Sequence, residues 1–456
     1  MKLISTNPSL AYETIGSVKI TAIDEIENIV IQSHNSQIKW HNRGVTGRID
    51  LLRKLSAKFS DNINRLAELQ SIEMGMPISQ SIADINFGIE YFNSYLDKGT
   101  EYLKPTITFE NDTESDTVYF EPYGVVACIV PWNYPFSNFV WQCGQNLVAG
   151  NSVIFKHSEE SPLCGKLIDE IVNSILPDGV FIEIYGDGSI GEKLVKSDIN
   201  LICFTGSTTT GIKINELAAS RLIPTSLELG GSAPGIIFEG TDISKVINTI
   251  YNYRFSNCGQ ACDALKRLIV HESLFDQVVL TLSKILSEKR IGNAINPQTD
   301  IGPLVSKRQL DLLIEQVNYA INKGAKIIVG GKQPKNLNGA YYEPTIITNV
   351  TNDMRIWNQE VFGPVLPIVS FSTEDQAITL ANDTNYGLGA YIFTDDAVKF
   401  NRVANQLQSG MISQNNLSYV NVCNPFTGYN MSGGGREHAQ FGFGTITRLK
   451  LVVNEK

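Results

Sequence analysis

Cys262 lies in FSNCGQACDALKR at 255–267, behind a Gly-Gln-Ala run and at a point where a helical pattern gives way to a strand. A thiolate is a strong nucleophile toward a carbonyl carbon, and the hemithioacetal it forms can release hydride to leave a thioester. The competing reading of any single cysteine is a packed structural thiol, because free cysteine is among the most buried residue types. Glu228, in LELGG at 227–231, ends an apolar strand just before two glycines. A partly desolvated carboxylate there can deprotonate water for thioester hydrolysis near neutral pH. Taken alone it reads better as a solvated acid at a strand end. Asn133, in PWNYP at 131–135, is held in a turn between two prolines. Its amide NH2, together with the backbone N–H of Cys262, can stabilise an oxyanion, an interaction worth about 3 kcal/mol when preorganised. An ordinary turn asparagine is the alternative.

A second set of residues suits a dinucleotide. FTGSTTTG at 204–211 puts Gly206 and Gly211 at the two ends of a strand-to-helix turn, so backbone N–H groups and a helix N-terminus can face a pyrophosphate. The pattern is not GxGxxG, and a plain glycine-bounded turn explains it equally well. Lys156 ends the strand NSVIFK and can reach a ribose or a phosphate. Glu159 can bind the adenine-ribose hydroxyls, and a carboxylate there disfavours a 2′-phosphate, which points to NAD with NADP as the alternative. Both charges are also compatible with solvated strand ends. Cys258, four residues before Cys262, raises an inhibitory disulfide against the alternative of a packed thiol.

These residues need elements to hold them. Over 24–102 apolar residues recur at three- and four-residue spacing, as in IDLLRKLSAKFSDNINRLAEL, so helices are expected. Two β-type runs flank a polar turn at 105–123, a hairpin that projects from the body. From 124 the rhythm changes: GVVACIV, NSVIFK, FIEIYG and LICFTG alternate with helical stretches, the pattern of a parallel sheet with helices on its faces. A second series, GIIFEG, RLIVHE, AKIIVGG and VLPIVSF, follows Leu229. The chain therefore reads as α/β with two domains, and its β-type tail ITRLKLVV is expected to pair with the hairpin across a subunit interface.

Bulk properties narrow the function classes. A chain of 456 residues is long enough for two or three domains. Its formal net charge of −10 has no compensating basic run, which argues against a nucleic-acid partner. No apolar stretch approaches the roughly 18 residues of a membrane span, and MKLISTNPSLAYE lacks the apolar core of a secretory signal, so a cytoplasmic protein is expected. The 7 cysteines are odd in number and scattered, as reduced thiols rather than a disulfide framework. No metal site is expected.

PWNYP, the Lys156 strand end, FTGSTTTG, LELGG, GQAC and EVFGP at 360–364 occur in the order and spacing of the aldehyde dehydrogenase superfamily, which the chain resembles over nearly its whole length. Cys262 follows Glu228 by 34 positions, which fits the same family. The resemblance implies Cys262 as nucleophile, Glu228 as base and Asn133 as oxyanion donor in the NAD(P)+-dependent oxidation of an aldehyde to a carboxylic acid. It also implies Trp132, Lys156, Glu159, Gly206, Ser207, Gly211, Glu360 and Phe362 around the dinucleotide, with Glu360 on the nicotinamide ribose. The implied fold is a Rossmann-like cofactor domain at 1–104 and 124–228, a catalytic α/β domain at 229–425, and a β-strand oligomerisation arm at 105–123 and 426–456, in a homodimer or homotetramer.

ELGGSAP is similar to the compact bacterial branch that includes succinate-semialdehyde dehydrogenases. Enzymes of that kind are expected to hold the distal carboxylate with arginines. At the matching positions this chain has Trp141 and Ser256, with Arg254 two residues away. A tunnel of Phe136, Trp141, Ser256, Val420 and Phe426 points to an uncharged aldehyde. Thr427 and Tyr429 stand where many relatives have Gly and Lys, so this loop is expected to be shaped differently. The alternatives are a CoA-acylating relative, against which Glu228 argues, and a non-catalytic protein on the same fold.

Overall fold

The computed structural model describes residues 1–456. Its first sheet has five parallel strands in the order Phe181–Ile184, Ser152–Lys156, Val125–Ile129, Leu201–Thr205 and Thr225–Glu228. Four of these strands read as apolar runs because both faces are covered, whereas the edge strand Thr225–Glu228 is only partly buried on one face. Val126 and Cys128 face a core shared with the N-terminal helices, where Leu52, Phe59 and Phe92 pack, while Val125 and Ala127 face a second core with Ile214 and Ile26. Strand order reverses at Val125–Ile129, whose two neighbours come from opposite directions along the sheet. A crevice opens outside the carboxyl ends of the strands at such a switch point.

The second sheet has seven strands, ordered Lys326–Val329, Thr345–Thr348, Val365–Phe371, Leu265–His271, Ala233–Ile237, Gly389–Phe393 and Met411–Gln414. All neighbours run parallel except the edge strand Lys326–Val329, which is antiparallel and makes the sheet mixed. Thr345–Thr348, Gly389–Phe393 and Met411–Gln414 were not among the expected strands. Neither was the antiparallel pair Lys2–Asn7 and Glu13–Lys19 at the N-terminus. Helices Ile26–Asn42, Gly44–Asp61, Ile63–Met74 and Ile78–Tyr102 fill the region of helical periodicity. No helix is long and apolar enough to cross a membrane.

The hairpin strands are Thr106–Glu110 and Glu114–Pro122, and Thr447–Glu455 pairs with the second of them from Thr447↔Pro122 to Glu455↔Glu114. Tail and hairpin thus form one three-stranded sheet within the chain. The segment 426–446 folds back on the body: helix Ala439–Thr445 is tied to Gln145, which donates to the carbonyl oxygen of Ala439 at 3.0 Å.

Candidate active site

Between the two sheets lies a cavity of about 770 Å³. Its wall holds Asn133, Glu228 and Cys262 together with Trp132, Gly206, Ser207, Glu360 and Phe362 on one side and Trp141, Ser256, Val420 and Phe426 on the other. Residues such as Gly231 and Glu360, 129 positions apart in sequence, meet here because the crevice of the first sheet faces the strand starts of the second.

The loop that leads to Cys262 is strained. Asn257, Cys258 and Gly259 have φ of 48°, 55° and 73°, three consecutive residues in the left-handed region that side chains disfavour. Hydrogen bonds offset this cost: the backbone N–H of Asn257 donates to Gln80 Oε1 at 2.7 Å, its amide donates to the carbonyl oxygen of Asn133 at 2.8 Å, and Gln260 Oε1 accepts from the N–H of Val305 at 2.9 Å. Asn133 Nδ2 donates to the carbonyl oxygen of Gln260 at 3.0 Å, which leaves its second amide hydrogen available toward the cavity. The amide that resembles an oxyanion donor is thereby fixed to the loop that carries the thiol.

Lys266 was not singled out by sequence. Its ammonium is 1% exposed and donates to the carbonyl oxygens of Gly231 at 2.9 Å and Cys262 at 3.0 Å, and to the carboxylate of Glu360. It also stands 5.1 Å from the centre of the Phe362 ring. One buried cation thus joins LELGG, GQAC and EVFGP, and burial draws its pKa down while Glu360 pulls it up. Gly231 must be glycine, since a Cβ there would stand 2.6 Å from the carbonyl oxygen of Cys262.

Neither carboxylate oxygen of Glu228 has a hydrogen-bond partner, although the side chain is buried. Burial pushes its pKa well up, and Glu437 on the facing loop pushes it further. Glu437 is itself raised by burial to about 8, and its carboxylate accepts from Gln142. It reaches the cavity because Phe426–Thr427 pairs antiparallel with Arg436–Glu437, placing Phe426 opposite Glu437. Burial likewise raises the Cys262 thiol well above its ordinary value, with neighbouring Asp263 adding to the effect. A thiol and an unpaired buried carboxyl on the wall of one cavity are groups between which a proton can move.

On the dinucleotide side, Ser207 caps helix Thr208–Ala219, its Oγ accepting from the N–H of Thr210 at 3.3 Å, and the helix N-terminus points to the crevice. Trp132 meets Phe362 edge to face at 5.5 Å. Gly211 departs from expectation: it lies inside the first turn of the helix and lets it approach Leu229, where a Cβ would meet Leu229 Cδ2 at 2.5 Å. Lys156 and Glu159 do not border the cavity. Lys156 Nζ donates to the carbonyl oxygen of His157 at 3.2 Å and stands 4.0 Å from Glu159.

Phe136 is a correction. On helix Pro135–Ala149 the residues Ser137, Asn138 and Trp141 share the cavity face, whereas Phe136 and Phe139 share the opposite one. Phe136 is 1% exposed and packs on Phe59 at 5.0 Å. Arg254 is fully buried and spends its guanidinium on the carbonyl oxygens of Val361, Gly363 and Val365, pointing away from the tunnel. Cys258 packs in the core of the second sheet, where burial raises its thiol to about 12, so the packed thiol prevails over the disulfide.

A model of the aldehyde dehydrogenase family matches residues 2–452. The chain belongs to the aldehyde dehydrogenase family. Among curated aldehyde dehydrogenases it is similar to peroxisomal aminoaldehyde dehydrogenase 1 of Pisum sativum, 38% identical over 91% of this chain and 84% of that one. It is similar also to mitochondrial succinate-semialdehyde dehydrogenase of Oryza sativa subsp. japonica, 32% identical over 98% and 85%. The NAD+ complex of an aldehyde dehydrogenase from Bacillus cereus superposes with a TM-score of 0.96, at 29% identity, over 100% of this chain and 93% of that one. As a member of this family the chain is an oxidoreductase that acts on aldehydes with NAD(P)+.

Proposed function

We propose that this aldehyde dehydrogenase oxidises its substrate to a carboxylic acid through a thioester on Cys262 that water, rather than CoA, releases. The observation that carries the reading is Glu228, a buried carboxyl group without a hydrogen-bond partner on the wall that also holds Cys262. A base kept free of partners is what hydrolysis needs and transfer to a thiol does not.

The chain's own groups divide the work. Glu228 takes the proton of the Cys262 thiol as sulfur attacks the carbonyl carbon. Asn133 Nδ2 and the backbone N–H of Cys262 hold the resulting oxyanion. The oxidised nicotinamide, when bound, accepts the hydride that leaves this carbon. Gly206, Ser207 and the helix N-terminus behind them suit the pyrophosphate, Glu360 held by Lys266 suits the nicotinamide ribose, and Trp132 with Phe362 gives the adjoining wall its aromatic lining. Glu159 and Lys156, outside the cavity, are left for the adenosine half, and a carboxylate there favours NAD over NADP. Glu228 passes the thiol proton to solvent, then takes a proton from water as the oxygen attacks the thioester, and returns that proton to the Cys262 thiolate as it leaves.

Steady-state assay of the purified chain with NAD+ and an aldehyde tests this: Cys262→Ala is expected to lower kcat by at least about 10⁴-fold, and full turnover in that variant would sink the thioester. Acid formation that required CoA and survived Glu228→Gln would install the acyl-transfer alternative.

The arm supports a homo-oligomer. Ile107, Phe109, Leu449, Leu451 and Val453 are exposed along a three-stranded sheet whose outer strand has an unpaired edge. Light scattering is expected to find a dimer or tetramer, and a monomer at micromolar concentration would remove this reading.

A further inference from the structure

The charges on the tunnel wall are one-sided. Asp84, Glu228, Asp263, Glu360 and Glu437 border the cavity, and Arg308 is its one basic residue. Arg308 has a 69% exposed side chain and is paired with Glu160 at 3.1 Å, so its charge is engaged at the rim. Four of the acids have assigned work or full partners: Glu228 as base, Glu360 held by Lys266, Glu437 by Gln142, and Asp84 accepting from Ser137 Oγ at 2.5 Å and Gln70 Nε2 at 2.9 Å.

Asp263 is different. It follows the nucleophile directly, takes part in no ion pair, and receives one side-chain hydrogen bond, from the Tyr419 hydroxyl at 3.3 Å. That hydroxyl is shared with Tyr391 Oη at 2.6 Å. This half-buried carboxylate borders the cavity and keeps acceptor capacity for a donor there. Around it the wall is aromatic: Trp141 packs on Phe426 at 5.2 Å and on Phe87 at 6.2 Å, and Tyr134 completes the lining. Aromatic faces attract cations as well as apolar groups.

We propose that the tunnel accepts an aldehyde whose far end is a cationic ammonium group, with Asp263 as the residue that selects it. This deepens the reading of the preceding subsection, on which it rests, and replaces the expectation of an uncharged aldehyde. A primary ammonium donates to the free carboxylate oxygen of Asp263. A quaternary one lies against Trp141 and Phe426 with Asp263 as counter-ion. A carboxylate-ended aldehyde meets like charge and finds no unpaired guanidinium, because Arg254 points elsewhere and Arg308 is paired with Glu160.

The decisive comparison uses two isosteres that differ in one charge, trimethylammonio-acetaldehyde and 3,3-dimethylbutanal, with succinic semialdehyde as the anionic arm. In the full chain with NAD+, kcat/KM for the cation is expected to exceed that of the neutral isostere at least about tenfold, chiefly through KM. Asp263→Asn is expected to bring that ratio toward one, and Asp263→Glu to restore part of it. A wild-type ratio near one, a preference for succinic semialdehyde, or an equal loss for both isosteres in Asp263→Asn would each overturn the proposal. Choline supplies a readout without turnover: calorimetry is expected to find binding that Asp263→Asn abolishes, and no binding to the wild type counts against the cation site. Absence of turnover with every aldehyde overturns the activity reading instead, and the choline measurement still decides the charge.

Discussion

The two sheets meet the cavity with opposite ends. In the five-stranded sheet the site residues stand at or just beyond strand C-termini: Asn133 beyond Ile129, Gly206 and Ser207 beyond Thr205, and Glu228 as a last strand residue. In the seven-stranded sheet they come before strand starts: Cys262 before Leu265, and Glu360 and Phe362 before Val365. The carboxyl ends of a parallel sheet lead into helix N-termini, whose free N–H groups supply positive potential from backbone alone. Strand starts have no such resource. The structure answers with a buried side chain, Lys266, whose three contacts hold Gly231, Cys262 and Glu360 in one arrangement. One half of the site is thus organised by backbone dipoles and the other by a single cation, and the two are expected to fail differently.

Removing the cation is expected to have the larger effect. Lys266→Met leaves Glu360 without its partner and two carbonyl oxygens without a donor, a type of loss that costs roughly 3–5 kcal/mol for a buried pair. Differential scanning calorimetry is expected to show a clear fall in Tm, and kcat to fall with it. An unchanged Tm would mean that the loops hold themselves. In the backbone half, Ser207→Ala removes a helix cap worth about 1 kcal/mol, and because the helix N-terminus itself remains, KM for NAD+ is expected to rise only a few-fold with kcat preserved. Equal losses in the two variants would break the contrast.

The same contrast explains what was legible in the sequence. Short apolar runs alternating with helices mark four of the five strands of the first sheet, which are buried on both faces, whereas the edge strand Thr225–Glu228 shows only through the LELGG motif at its end. Glycines and prolines at strand ends marked the turns that carry Asn133, Gly206 and Glu228, because tight turns restrict residue type. Phe136 was misplaced because the turn motif ends where a helix begins, and helical periodicity sends Phe136 to the core while Trp141 faces the tunnel. Lys266 and Asp263 lay beside the motif residue and carried no pattern of their own. Their importance comes from which loops arrive around them, and those loops lie up to 156 positions away, as Tyr419 does from Asp263. Glu437 is a similar case: GGGRE announces a turn, but only the pairing of Phe426 with Glu437 turns the carboxyl toward Glu228. The tail and the hairpin are both recognisable as strands, but the register that sets Thr447 opposite Pro122 is not, because alternation specifies a face and not a neighbour.

Glu437 offers the finest test of how the halves communicate. It belongs to neither sheet, yet its carboxyl group raises the pKa of Glu228, as a like charge nearby disfavours ionisation. With Glu228 as the proposed base, which works in its ionised form, the acid limb of the kcat profile follows the pKa of Glu228 wherever thioester hydrolysis limits the rate. Glu437→Gln removes the like charge while keeping a side chain of similar shape beside Gln142. The Glu228 carboxyl then ionises more readily, and the acid limb is expected to move to lower pH. A limb that stayed in place would mean that burial alone sets the basicity of Glu228. A limb that moved to higher pH would mean that Glu437 stabilises the ionised base, reversing the sign of the coupling.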